Sequence, residues 1–178
     1  MTFNGPGSTI GGTGVQNFNN LTISASLISF SNGNINLTGN LATTGAGSFT
    51  QASGGTLSMS GSGKTISGSG ITLDNLTVSG TVSTGISLTV TGNLSVSGSF
   101  TAGSGNITMT GASKTISGTG TIAFYSLLTS GAISSCINFS IAFGLVVSGS
   151  FSASAGTVTF TGTSSLSGTA DLYNITYS

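Results

Sequence analysis

The residues most suggestive of chemistry in this chain are Lys64 and Thr65, which lie within GSGKTISGSG at 61–70. A glycine followed by lysine and a hydroxyl residue closes the P-loop, where backbone amides and the lysine hold nucleotide phosphates. The full pattern needs another glycine five positions before Gly63, and Ser58 stands there. It also needs a helix after the lysine, its N-terminus facing the phosphates. The following ISGSGITLDNLTVSG is too rich in glycine, serine and β-branched residues to form one. The stretch reads as a turn between strands.

Other catalytic arrangements lack their parts. The 178 residues include two lysines and two aspartates, and no arginine, glutamate, histidine or tryptophan. Without histidine no Ser-His-Asp or Cys-His set can be assembled. Asp74 and Asp171 fall at non-equivalent places in the repeat described below, matching Tyr173 and Thr72, so nothing pairs them. No cluster of metal ligands and no cofactor motif is present. Cys136 is the only cysteine. It excludes an internal disulfide, and its place in an apolar run predicts a small buried hydrophobe. The expectation is a chain that is not an enzyme and carries no cofactor or metal.

Charged residues make up 2% of the chain and the net charge is zero. That excludes a basic nucleic-acid footprint, and it leaves little repulsion between copies. The longest apolar run apart from its glycine, IAFGLVV at 141–147, is far too short to span a bilayer as a helix. The opening MTFNGPGSTI lacks the charged and apolar regions of a signal peptide.

The lysine stretch recurs. GPGSTIGGTG (5–14), GSGKTISGSG (61–70) and GASKTISGTG (111–120) align without a gap, and GTSSLSGTA (162–170) aligns with one deletion. The lysine position reads Ser8, Lys64 and Lys114, so a phosphate-binding role would come and go with the repeat. Phe3, Met59, Met109 and Phe160 sit at matching places, and FNNLTIS, LDNLTVS, FYSLLTS and LYNITYS follow the glycine stretches. The chain is one domain over 1–178, with units at about 2–57, 58–107, 108–158 and, in part, 159–178.

Within a unit the apolar period is two, as in GISLTVTGNLSVSG, with Ser and Thr on the opposite side. Such alternation predicts half-buried strands, and glycine and asparagine between runs predict tight corners. No segment has helix periodicity. The fold class expected is all-β, a β-solenoid with two or three coils per unit, with a β-sandwich or jelly roll as the alternative. Phe3, Met59, Met109 and Phe160 should then point inward in equivalent layers, and Lys64 and Lys114 should lie at matching corners on one side of the rod.

GSGKTISGSGITLDNLTVSG and SLTVTGNLSVSGSFTAGSGNITMTG resemble the Gly/Ser/Thr-rich repeats of giant secreted bacterial β-solenoid surface proteins, adhesin-like and filamentous-haemagglutinin-like. The resemblance covers nearly the whole chain. It implies an extracellular or cell-surface, non-enzymatic role.

The functional expectation is a structural subunit that associates head to tail into an extracellular or cell-surface fibre, with itself as partner and surface glycans or host surfaces as further ones. Phe3 at one end, and Leu172, Tyr173, Ile175 and Tyr177 at the other, are full-strength repeat residues rather than polar closures. Aligning NFSIAFGLVVSG with SLTVTGNLSVSG sets Ala142, Phe143 and Val146 against Thr91, Gly92 and Ser95. An outward apolar patch is expected there, or else a bulge that turns these residues inward. Alternatives kept open are a segment of a large adhesin or phage tail fibre, and an ice-binding protein. The last rests on TVTFT, which sets Thr157, Thr159 and Thr161 on one side of a strand. Seven N-glycosylation sequons begin at Asn20, Asn36, Asn75, Asn93, Asn106, Asn138 and Asn174.

Overall fold

The computed structural model describes residues 1–10, 14–25, 28–30 and 33–178, which contain 22 strands and no helix. Residues 11–13, at the end of the first glycine stretch, lie outside the described residues. The alternation works as the sequence predicts. In Leu94–Val96 and Leu21–Ile23 the two apolar side chains are buried and the central hydroxyl residue is half-buried on the other side.

Among the described residues, consecutive strand segments do not pair with each other. Each pairs in parallel with the segment three further along the chain, so three segments make one turn and the rest of the turn serves as the crossover that parallel strands need. Three parallel sheets result. The first face runs from Thr2–Phe3 through Leu21–Ile23 and Leu41–Thr43 to Thr81–Thr84 and Ser99–Ala102. The second runs through Phe49–Gln51, Ile71–Leu73, Leu88–Val90 and Asn106–Met109. The third runs through Ile35–Leu37, Thr56–Met59, Asn75–Val78, Leu94–Val96 and Lys114–Gly118. Three long strands, Thr121–Thr129, Phe139–Phe160 and Ser165–Tyr177, turn corners and contribute segments to more than one face. The chain is a β-solenoid of about nine coils of about 19 residues. At ~4.8 Å per coil the rod is roughly 40 Å long. Every pairing among the described residues is parallel, so the sandwich alternative does not form.

The core is a set of inward columns. On the third face Ile35, Leu57, Leu76, Leu94 and Ile116 stack rung on rung, each at most 1% exposed. Burying one such side chain contributes roughly 1.5–3 kcal/mol.

The sequence repeat and the coil are out of step. From Phe3 to Met59, from Met59 to Met109 and from Met109 to Phe160 the chain passes eight segments each time, or two and two-thirds coils. All four side chains face the core; Met59, Met109 and Phe160 are sealed and Phe3 is half-buried against it. They stand on the first, third, second and again the first face. The expected like-on-like layers are therefore corrected: Met59 stacks on Leu37 and Val78 rather than on a repeat equivalent. Each unit presents its residues two-thirds of a turn round from the last.

Corners use asparagine as a spacer. The Oδ1 of Asn20 accepts from the Asn40 amide at 2.8 Å, and Asn40 in turn accepts from Thr65 at 2.9 Å. Asn75, Asn93 and Thr115 repeat the arrangement at another corner, and Asn138 accepts from Thr157 at 2.7 Å. Each side-chain oxygen satisfies an amide of the coil beyond, where the ladder is interrupted by the turn.

Candidate functional site

The rotation of the repeat decides where the candidate residues lie. Lys64 belongs to the first face and Lys114 to the third, so the expectation that they share one side of the rod is corrected. Each stem folds back across its own corner glycine, Gly61 or Gly111, which leaves both lysines half-buried. Neither is followed by a helix: each opens a short strand, Lys64–Ser67 or Lys114–Gly118.

Asp74 and Asp171 are not brought together. Asp171 is exposed on the third face of the ninth coil, beside Ser152. Asp74 is the single-residue corner between Ile71–Leu73 and Asn75–Val78 in the fourth coil, and is buried. Its carboxylate accepts from the Gly54 amide of the coil before, from Thr91 Oγ1 of the coil after at 3.1 Å, and from Asn75 Nδ2 at 3.2 Å. Its own amide donates to Gln51 Oε1, and buried Gln51 donates to the Gly33 carbonyl at 2.8 Å. Sequence reading missed this clasp across four coils, although Asp74 was visible as a carboxylate in the place that Tyr125 and Tyr173 fill in the sister units. Asp74→Ala is expected to lower stability by about 1–3 kcal/mol, because the Gly54 amide loses its acceptor and the Thr91 hydroxyl keeps only the longer bond to the Leu73 carbonyl at 3.4 Å. A urea midpoint equal to that of the unaltered chain would contradict it.

Cys136 is exposed, not buried as expected. Strand alternation points Ser135 inward and so turns its neighbour out.

The outward apolar patch forms. Ala142 is exposed, Phe143 is 56% exposed and Val146 is 40% exposed. A bulge is present too, but it acts opposite to the inward alternative. Between Phe124↔Ile141 and Ser126↔Gly144 the register slips, so Ala142 and Phe143 together oppose Tyr125. The extra residue extrudes Phe143, whose ring stacks on Tyr125 at 5.2 Å and 9°. Val146 continues an outward column on the second face above Leu128.

The last segments carry the other expected contact residues. Leu172 is half-buried against the core, while Tyr173, Ile175 and Tyr177 are exposed. Tyr177 stacks on buried Phe160 at 5.4 Å. Of the sequon residues, Asn20, Asn75, Asn93 and Asn138 spend their side-chain oxygens on coil-to-coil bonds. Asn36 donates to Asn17 and the Asn106 amide donates to Ser87, while Asn174 is exposed. At half-buried Asn75 the nitrogen that a glycan would occupy already donates to Gly55 and Asp74.

Threonine arrays follow the coil rather than the repeat. Thr159, Thr108 and Ser58, equivalent in sequence, stand on three different faces. On the second face, however, Thr50, Thr72, Thr89 and Thr108 stack directly in one outward column.

Comparison with known proteins finds no matching family model, no similar curated protein and no similar solved structure.

Proposed function

We propose that the chain is a non-enzymatic structural element of an extracellular or cell-surface fibre, its coils continued end to end by further copies. The observation that carries this reading is the cross-section at the last coil. Leu166, Ile175 and Tyr177 are rungs of inward columns whose previous members, Leu145, Val158 and Phe160, are sealed. They are themselves 43%, 48% and 71% exposed. Tyr177 offers a further ring the same face that Phe160 offers it, and among the described residues the strand Ser165–Tyr177 pairs on one side only. An open apolar strand edge is a template for another strand. A further coil from the same chain would cover it equally well; the fibre reading assigns the cover to a second copy. Such a head-to-tail contact, if it does not close into a ring, grows without limit. Nearly uncharged ends add little repulsion.

Residues 1–178 purified alone are expected to form filaments in negative stain, and Ile175→Asp with Tyr177→Asp is expected to leave rods of roughly 40 Å. Monodisperse short rods from the unaltered chain would overturn the self-assembly and favour a segment of a larger adhesin or tail fibre. A second reading, ordering of ice-like water, is favoured by the threonine column on the second face. Thermal hysteresis that Thr72→Lys and Thr89→Lys abolish would support it.

A further inference from the structure

We infer that the first face carries a binding groove for a neutral glycan chain, separate from the end face on which fibre growth rests. The groove has a volume of about 450 Å³, within the range of small-ligand sites, and Thr101, Thr121, Ala123, Asn138, Ser140 and Thr159 are among the residues lining it. These belong to four successive coils, so it follows the rod axis for roughly 15 Å at ~4.8 Å per coil.

The groove borders the Gly118–Gly120 corner of the rod. Thr119, Gly120 and Asn138 line both this groove and a neighbouring hollow of about 210 Å³, and so stand between them. Where the same two strands leave the groove, the bulge raises the Tyr125–Phe143 pair.

The lining selects the ligand by elimination. It holds no charged side chain, so nothing there attracts phosphate, sulfate or a charged peptide. The strands beneath have their backbone groups engaged in the parallel ladder, so an extended peptide cannot add as a further strand. Hydroxyls interrupt the floor, which disfavours an acyl chain. Those of Thr101, Thr121, Ser140 and Thr159 make no hydrogen bond among the described residues. Asn138 is oriented by the Thr157 amide on its oxygen, leaving its nitrogen to donate. Neutral donors and acceptors in a shallow trough, with an exposed aromatic face further along two of its strands, to one side of it, match a sugar chain. Its hydroxyls meet the groove and its C–H faces pack on the electron-rich ring of Phe143.

The test uses protein made without N-glycosylation, since Asn138 opens a sequon at the rim, and carrying Ile175→Asp and Tyr177→Asp, so that glycan retention and filament growth are read separately. It is passed over immobilised cellulose, chitin, mannan and galactan, with heparin as the polyanionic contrast. Retention on at least one neutral matrix is expected, unchanged from about 0.05 to about 1 M salt. Ala123→Phe, which fills the trough, and Phe143→Ala, which removes the ring, should each lower it roughly tenfold or more. Both side chains face outward, and an unchanged circular dichroism spectrum with a cooperative urea transition checks that each variant folds; Ser140→Gln replaces either that does not. Absence from all four neutral matrices, retention that salt abolishes, or retention that the substitutions leave intact overturns the proposal.

Discussion

Gly118→Ala is expected to lower the stability of the rod by about 3 kcal/mol or more, the sum of a strained backbone and an overpacked coil contact. Gly118 has φ 122°, a conformation that side chains with a Cβ rarely adopt. A Cβ built there would overlap the carbonyl of Val96 in the coil before. The two coils cannot part to make room, because Leu94↔Ile116 and Ser95↔Ser117 are laddered immediately beside the contact. Gly63, in the stretch that resembles a phosphate loop, is the control. It too has positive φ, at 65°, but a Cβ there would meet nothing within 4 Å. Gly63→Ala should cost only the left-handed strain, about 1–2 kcal/mol. Urea midpoints at equal m-value measure the difference. Equal losses at the two sites would mean that coil spacing is not what demands the glycine at Gly118.

The two glycines show what could be read in advance. Both stand in ten-residue stretches that the repeat matched correctly but that read as turns between strands. Each in fact holds a strand of its own, Lys64–Ser67 or Lys114–Gly118, between two corners. Alternation in GISLTVTGNLSVSG predicted which side chains face the core, and Leu88, Val90, Leu94 and Val96 are buried accordingly. What could not be read was the phase. A unit of eight segments wound three to a coil places equivalent residues on different faces, and only the pairing register reveals the three. Hence Lys64 and Lys114 part company, and the threonine column on the second face draws on non-equivalent positions of the repeat. The Asp74 clasp was hidden for the same reason. Gln51, Gly54 and Thr91 become its neighbours only through the spacing of the coils on either side. The groove joins Thr101, Thr121, Ser140 and Thr159, which no shared motif marks as a set.

Phe139 and Phe143 test how far burial, rather than residue type, governs the energetics of the third unit. The run NFSIAFGLVVSG offers both as aromatic residues at the same parity as Ile141, Leu145 and Val147, so alternation alone would place both inside. The bulge at Ala142 and Phe143 settles the matter: it keeps Phe139 inside and sets Phe143 outside. Phe139 is 3% exposed and meets Phe124 edge-on at 5.6 Å and Phe151 at 6.1 Å and 90°, joining the first face to the third across the core. Phe139→Ala would remove both contacts and leave a cavity between laddered coils that cannot collapse onto it. The expected loss is about 3–5 kcal/mol. Phe143→Ala gives up one stacked contact at the surface and should cost about 1 kcal/mol. Because the coils fold against one another in series, the Phe139 cavity should also loosen its neighbours before more distant coils. Amide hydrogen exchange would then accelerate first in segments 121–129 and 150–153, while 35–59 stays protected. A uniform acceleration along the whole rod would instead mean that the solenoid opens as one cooperative unit, and would refute the serial picture.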